Sequence, residues 1–344
     1  MRPAFLLVFT LAVLATPAQA QPLDLSTRID SIAQAALDDG PLAGLSIAVM
    51  RDGEVRHARG YGLADIETGR PVTAETLFNV ASVGKIIAAA AVLRLVDEGT
   101  LSLDDDLASL LPAFPNPEQG RQITLRQLLN HTSGLNDYVP ADLERWKQSR
   151  EPLDPSFVLD YVRDRPLDFE PGTDYSYTNT GFYLAGLIVE RVSGSSWGDY
   201  VLREVAAPLG LHSVVLCDEA GARRTTVYDR TDAGLVVSVV GAEQGIRGDG
   251  GLCMNVLDLA RLPHALRTSG LLSASSLEEM LRPTVLADGL VVDYGLGVAR
   301  GVLHGHPLWG HLGGAEGSLA ATLIHYPDDD VTIAVVVNTR FGDV

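Results

Sequence analysis

The sequence predicts an α+β fold: an antiparallel sheet assembled from strands at both ends of the chain, with a helical lobe inserted between them. Two observations carry this. Strand-like segments occupy 45–50 and 55–61 near the start and 318–325 and 331–338 near the end. The long middle reads instead as helices separated by Pro- and Gly-rich loops such as Glu170-Pro171-Gly172. Strands gathered at the ends, rather than alternating with helices, favour a segregated antiparallel sheet over a βαβ one.

The elements follow in order. Arg2, an apolar run over 5–14 and Ala18-Gln19-Ala20 before Gln21 form the pattern of a secretory signal peptide over 1–20. The protein is therefore expected to be exported, periplasmic or extracellular. The apolar run is too short to span a bilayer, and no later run is long enough. One domain is expected over 21–344, with its sheet part at about 21–78 and 285–344 and its helical lobe at about 79–284.

Ile29, Ile32, Ala33, Ala36 and Leu37 recur at helical spacing, so the domain opens with an amphipathic helix ending near Gly40. Asp52-Gly53 between two apolar segments signals a hairpin, because both residues tolerate positive φ. A helix rich in Ala and Leu runs over 82–97 and stops at Gly99. Shorter helices are expected at 124–130, 155–163, 181–192, 197–206, 256–267 and 275–281. Strands return at 294–300, 318–325 and 331–338, the last two joined across Pro327-Asp328-Asp329-Asp330.

Composition excludes several classes. The 344 residues are 46% hydrophobic and 20% charged, as a chain with a large core requires. A net charge of −18 lacks the positive patches that displace counterions from nucleic acid, and it provides no basic face for a membrane. Cys217 and Cys253 form either one disulfide or two separate buried thiols; the sequence leaves both open. His304, His306 and His311 are loosely grouped, but no carboxylate or thiol at ligand spacing joins them. No metal or other cofactor is expected, and no glycine fingerprint for a nucleotide follows a strand.

Three segments carry candidate chemistry. In Ser82-Val83-Gly84-Lys85, positions i and i+3 share a helix face, so the hydroxyl and the amine can meet. A serine needs a proton acceptor to become a nucleophile, and a lysine serves only if its pKa falls. Apolar residues follow Lys85, and the chain has only one other lysine, Lys147. In Tyr177-Thr178-Asn179, an extended backbone places the phenol and the amide on one side. A tyrosine beside a lysine can relay a proton, and an asparagine can hold the lysine and a substrate carbonyl. Tyr175 competes for the tyrosine role. In His311-Leu312-Gly313-Gly314, small residues let a strand approach a substrate closely and offer it backbone N–H groups.

Together these motifs resemble the serine β-lactamase and penicillin-binding-protein superfamily, in its class C-like branch. Ser82-Val83-Gly84-Lys85 is similar to its first motif, Tyr177-Thr178-Asn179 to its Tyr-x-Asn motif and His311-Leu312-Gly313 to the His-x-Gly form of its third. Leu128-Leu129-Asn130-His131-Thr132-Ser133-Gly134-Leu135 resembles a segment that packs under the site in this branch. The resemblance covers nearly all of the chain after residue 20. It implies Ser82, Lys85 and Tyr177 as catalytic residues and Asn179, His311, Gly313 and Gly314 as substrate-binding ones. It also implies an oxyanion hole from the N–H groups of Ser82 and Gly314.

Two departures shape the expected activity. The third motif usually carries a lysine and a hydroxyl residue that hold a substrate carboxylate; here His311 and Leu312 stand there. That favours ester or amide substrates, of D-amino acid or peptide-like type as in the superfamily's esterases and D-aminopeptidases, over those of a β-lactamase or D,D-carboxypeptidase. A non-catalytic penicillin-binding or peptidoglycan-sensing protein is the alternative from another class. The sequence stops at Val344, soon after the last strand and before the C-terminal helix that the family normally lays over the sheet, as a truncated chain would.

Overall fold

The computed structural model describes residues 24–40, 42–149, 153–238, 246–315 and 318–340. The expected signal segment at 1–20 and the last residue, Val344, lie outside them. The opening helix α1 (Leu25–Asp39) is capped by Asp24, whose side chain accepts from Thr27 N–H. Strands β1 (Gly44–Arg51) and β2 (Glu54–Asp65) follow, and Asp52 and Gly53 turn between them with φ of 54° and 74°. A short β3 (Arg70–Pro71) completes the N-terminal contribution.

The C-terminal contribution is β7 (Ala299–Leu303), β8 (His306–Ala315), β9 (Ser318–Tyr326) and β10 (Val331–Val337). Among the described residues these join into one seven-stranded sheet, ordered β7-β8-β9-β10-β1-β2-β3, with every pair antiparallel. Its central pairing brings the two chain ends together, with Leu45 opposite Val337.

Register decides which side chains face inward. His311, Leu323, Ala334 and Ala48 lie in one row, all buried. The next row, Leu312, Thr322, Val335 and Ile47, points to the opposite face, where α1 packs over Leu45, Ile47, Val335 and Val337. Leu312 lies at the margin of that face, 59% exposed.

The helical lobe lies between the two sets of strands. Its axis is α2 (Gly84–Asp97), of which eleven residues, Gly84 through Leu93 and Leu95, are buried. An apolar surface on every side marks a helix enclosed by protein. Around it pack α3 (Asn179–Ser193) and α4 (Val256–Thr268). Helix Leu125–Leu129 has a full capping box from Thr124 and Gln127. A small second sheet sits inside the lobe, with β4 (Phe78–Asn79), β5 (Val215–Leu216) and β6 (Leu252–Met254) in the order β4-β6-β5.

Some elements differ from the sequence reading. The strand expected at 294–300 begins only at Ala299, and Tyr294 makes an isolated bridge instead. The helix expected at 197–206 is a turn, Trp197–Tyr200, running into a wider π-helical stretch, Val201–Ala206. Helix Val139–Ser149 and the hairpin Tyr228–Thr231 with Gly234–Val237 lie outside the elements expected from the sequence. Cys217 and Cys253 are joined, with Cα atoms 4.9 Å apart, tying the loop after β5 to β6.

Candidate active site

The nucleophile turn is built from the small inner sheet. β4 ends at Asn79, opposite Cys253 of β6, and Asn79 Oδ1 accepts from Ala81 N–H at 2.7 Å. Ala81 is held at φ of 45°, in the left-handed region that an alanine adopts at a cost of about 1 kcal/mol or more. The chain then enters a single 3₁₀ turn, Ala81–Val83, and continues as α2. Ser82 is thereby half-buried at the head of the helix, beside β8. The strand can come this close because residue 313 has no side chain. A Cβ there would lie 2.3 Å from Val80 O, inside contact distance.

Lys85 points back along the helix toward Ser82. Its Nζ lies 3.0 Å from Ser82 Oγ, 2.8 Å from Asn179 Oδ1 and 2.9 Å from the main-chain oxygen of Asp249. It makes no direct ion pair among the described residues and is fully buried. Burial pushes the amine down to about 8, while the Asp249 and Asp137 carboxylates pull it back up.

The partners of Lys85 fix its role. Two of them, Asn179 Oδ1 and Asp249 O, are carbonyl oxygens and can only accept. A neutral amine therefore commits both its hydrogens to them, and its lone pair is left facing the Ser82 hydroxyl. The Asn179 amide is fixed in turn, because its Nδ2 donates to Asp137 Oδ2 at 3.1 Å. Asp137 Oδ1 also accepts from Asn179 N–H at 3.2 Å, at the start of α3.

Tyr177 is the tyrosine that reaches this pair. Lys85 Nζ lies 5.0 Å from its ring centroid. Burial pushes the phenol up, and a hydrogen bond with Ser82 pulls the other way. Tyr175 instead packs against His131 and Tyr294, with ring centroids 5.9 Å away in each case.

His311 is brought to the site by β8, but not as a free donor. Its Nδ1 lies 2.6 Å from Leu312 O, which can only accept, so Nδ1 carries the hydrogen. Nε2 then accepts from Tyr294 Oη at 2.9 Å. Burial, helped by the Lys85 charge, pushes the ring down to about 4, while the bond to Leu312 O pulls it up. The expected substrate-binding histidine is thus a neutral ring with both nitrogens engaged. Leu312 faces away from this pocket, so it lines the site less than its place in the motif implied. Gly313 and Gly314 flank a break in register between β8 and β9, where a ladder releases backbone groups from pairing.

Three functional candidates were missed in the sequence: Asp137, Asp249 and the buried Tyr294. The signal for Asp249 was a lone carboxylate inside Gly248-Asp249-Gly250-Gly251. Nothing local tied it to a lysine 164 positions away. Buried His131 lies under the site, 4.3 Å from the Tyr177 ring centroid. His304, His306 and His311 do not converge, and among the described residues no three metal-ligating side chains come together.

An antiparallel sheet from both chain ends, a buried central helix and a Ser-x-x-Lys pair at its head together define the β-lactamase/transpeptidase-like class of proteins. Comparison with known proteins agrees. The chain belongs to the beta-lactamase family, whose sequence profile, described as Beta-lactamase, matches residues 29–344. It is 38% identical to Esterase EstB of Burkholderia gladioli over 54% of this chain and 50% of that one. It is 28% identical to a D-aminopeptidase of Gluconobacter oxydans (strain 621H), over 91% of this chain and 59% of that one. The chain thus spans 50% to 59% of the length of these two curated relatives. Among solved structures, the octameric penicillin-binding protein homologue from Pyrococcus abyssi superposes with a TM-score of 0.79 at 28% identity. That match covers 91% of this chain and 73% of the other.

Proposed function

We propose that the protein is a serine hydrolase that acts through a covalent acyl-enzyme on Ser82, on ester or amide substrates. The observation that carries this is the Ser82–Lys85 pair at 3.0 Å, with the amine desolvated and its hydrogens directed to two carbonyl oxygens. Ser82 Oγ attacks the substrate carbonyl carbon, and its proton passes to Lys85 Nζ. The negative charge that develops on the carbonyl oxygen meets the N–H groups of Ser82 and Gly314; one such donor is worth about 10²–10³ in rate. Tyr177, beside the lysine, hands its proton to the leaving group and regains one from Lys85, and the bond from the leaving group to the acyl carbon breaks. Water reverses the sequence and frees the acid.

Substrates with a required carboxylate fit less well, because His311 is neutral and engaged with Tyr294 and Leu312. The esterase and D-aminopeptidase relatives support esters or amides without that anchor. Export to the periplasm or beyond is part of the same proposal, supported by the 1–20 pattern and by the Cys217–Cys253 disulfide.

The test is the Ser82→Ala variant against a panel of p-nitrophenyl esters, D-amino acid amides and nitrocefin. Turnover should fall by about 10³ or more, with the circular dichroism spectrum unchanged. Treated with a fluorophosphonate, the wild type should also gain the mass of one phosphonyl group, with fluoride released. Turnover that survives the substitution overturns the proposal, and a lasting acyl adduct from nitrocefin or an ester, without turnover, in the wild type favours a sensor.

A further inference from the structure

The scheme above uses only the main-chain oxygen of Asp249, yet its carboxylate is also buried beside the site, at 6% exposure. Oδ2 accepts from Tyr138 Oη at 2.7 Å, while Oδ1 is sealed from solvent and unpartnered among the described residues. A carboxylate desolvated this far, with one hydrogen bond, is costly unless a cation offsets it. Its own main-chain oxygen is bonded to the nearby cation-forming group, Lys85.

We propose that Asp249 is a positioning residue for Lys85, a fixed negative charge anchored on Tyr138 that stabilises the ammonium formed when Lys85 takes the Ser82 proton. This rests on the reading of Lys85 as the base. In that step one proton moves from Oγ to Nζ, the neutral amine becomes a cation and Asp249 stays ionised. A serine hydroxyl gives up its proton more readily when the acceptor's positive form has a counter-charge.

The surroundings leave this role to few groups. Lys85 is faced by Tyr177, Asn179 and Phe182 from α3 and the loop before it, and by the neutral rings of His131 and His311. The other carboxylate is Asp137, whose two oxygens accept from Asn179. Asp249 is faced by Tyr138 and, behind it, by Tyr183, whose hydroxyl accepts from Arg247 at 2.8 Å. Burial raises both aspartates, and the Lys85 charge lowers both. Asp249 and Asp137 are likewise the two charges that raise Lys85.

Because the chain has two lysines, Lys85 and Lys147, the test can observe the base directly. Protein carrying ε-¹³C-lysine gives two signals, assigned with Lys147→Arg. In the wild type the Lys85 signal should titrate with a midpoint near 8. In Asp249→Asn the midpoint should fall by about one pH unit. The acid limb of kcat/KM for a p-nitrophenyl ester should fall with it, while kcat at its plateau drops about tenfold and KM stays within about twofold. Tyr138→Phe keeps the carboxylate but removes its anchor. It should shift the midpoint the same way by less, and it carries the test if Asp249→Asn does not fold.

A Lys85 midpoint unchanged in the variant that folds overturns the proposal, even if turnover falls, because that leaves Asp249 a packing role alone. If the wild type turns over no ester or amide, the acyl-enzyme reading fails, while the lysine titration still decides the role of Asp249.

Discussion

The two walls of the active-site seam are built on different principles. On the helical-lobe wall, side chains carry the chemistry. Ser82, Lys85 and Asn179 bond to one another and to Asp137 and Asp249, through contacts that join positions 94 and 164 residues apart. On the sheet wall, β8 contributes mainly backbone: Gly313 against Val80, the break in register at Gly314, and a histidine whose nitrogens are both engaged internally. The lobe thus supplies the reacting groups, and the strand supplies closeness and shape.

That contrast can be broken most sharply at Gly313. If the sheet wall acts through closeness, Gly313→Ala should force β8 away from the nucleophile turn. Stability should drop by about 2 kcal/mol, as overpacking typically costs, and ester turnover should fall at least tenfold. Thermal melting and a rate measurement check both, and wild-type values in this variant would contradict the 2.3 Å approach to Val80 O.

Acid should load the sheet through its buried histidines. On the sheet, burial holds both His311 and His325 down to about 4. The unfolded chain, with histidines near 6.5, therefore binds more protons than the native one between about 6.5 and 4. Their stabilising effect is complete above about 6.5 and is lost as pH falls through that window. On the lobe, buried His131 is pushed down in the same direction, while the raised Asp137 and Asp249 bind protons more readily when folded and oppose this loss at the acid end. Melting temperature should fall by several degrees between pH 7.5 and 5, and less steeply in His325→Gln. An equal slope in that variant would place the acid sensitivity elsewhere.

The smallest effect is expected at Leu312. Register turns it to the outer face, 59% exposed. Leu312→Thr should therefore change kcat/KM for a neutral ester by less than about twofold and melting by less than about 0.5 kcal/mol. A larger gain with carboxylate-bearing substrates would show that its side chain reaches the pocket after all.

Much of this molecule was legible in the chain itself. The Asp52-Gly53 turn, the helix expected from Thr124 and the buried run after Lys85 are local devices whose cause lies within a few residues. The Ser82–Lys85 pair is of the same kind, since one helical turn sets its reach. Helix Val139–Ser149 was missed although Val139, Leu143 and Trp146 recur at helical spacing, because polar residues outnumber them along it.

What the sequence determined by itself is therefore the class of fold and the hydroxyl–amine pair, because backbone propensity and i, i+3 geometry are short-range. Only the tertiary structure decided that Cys217 meets Cys253, that Tyr177 rather than Tyr175 reaches the lysine, that Leu312 faces out, and that Asp137 and Asp249 enclose the base. Those outcomes depend on strand register and on how the lobe docks against the sheet. Both are set by packing between segments far apart in the chain, and no local pattern encodes them.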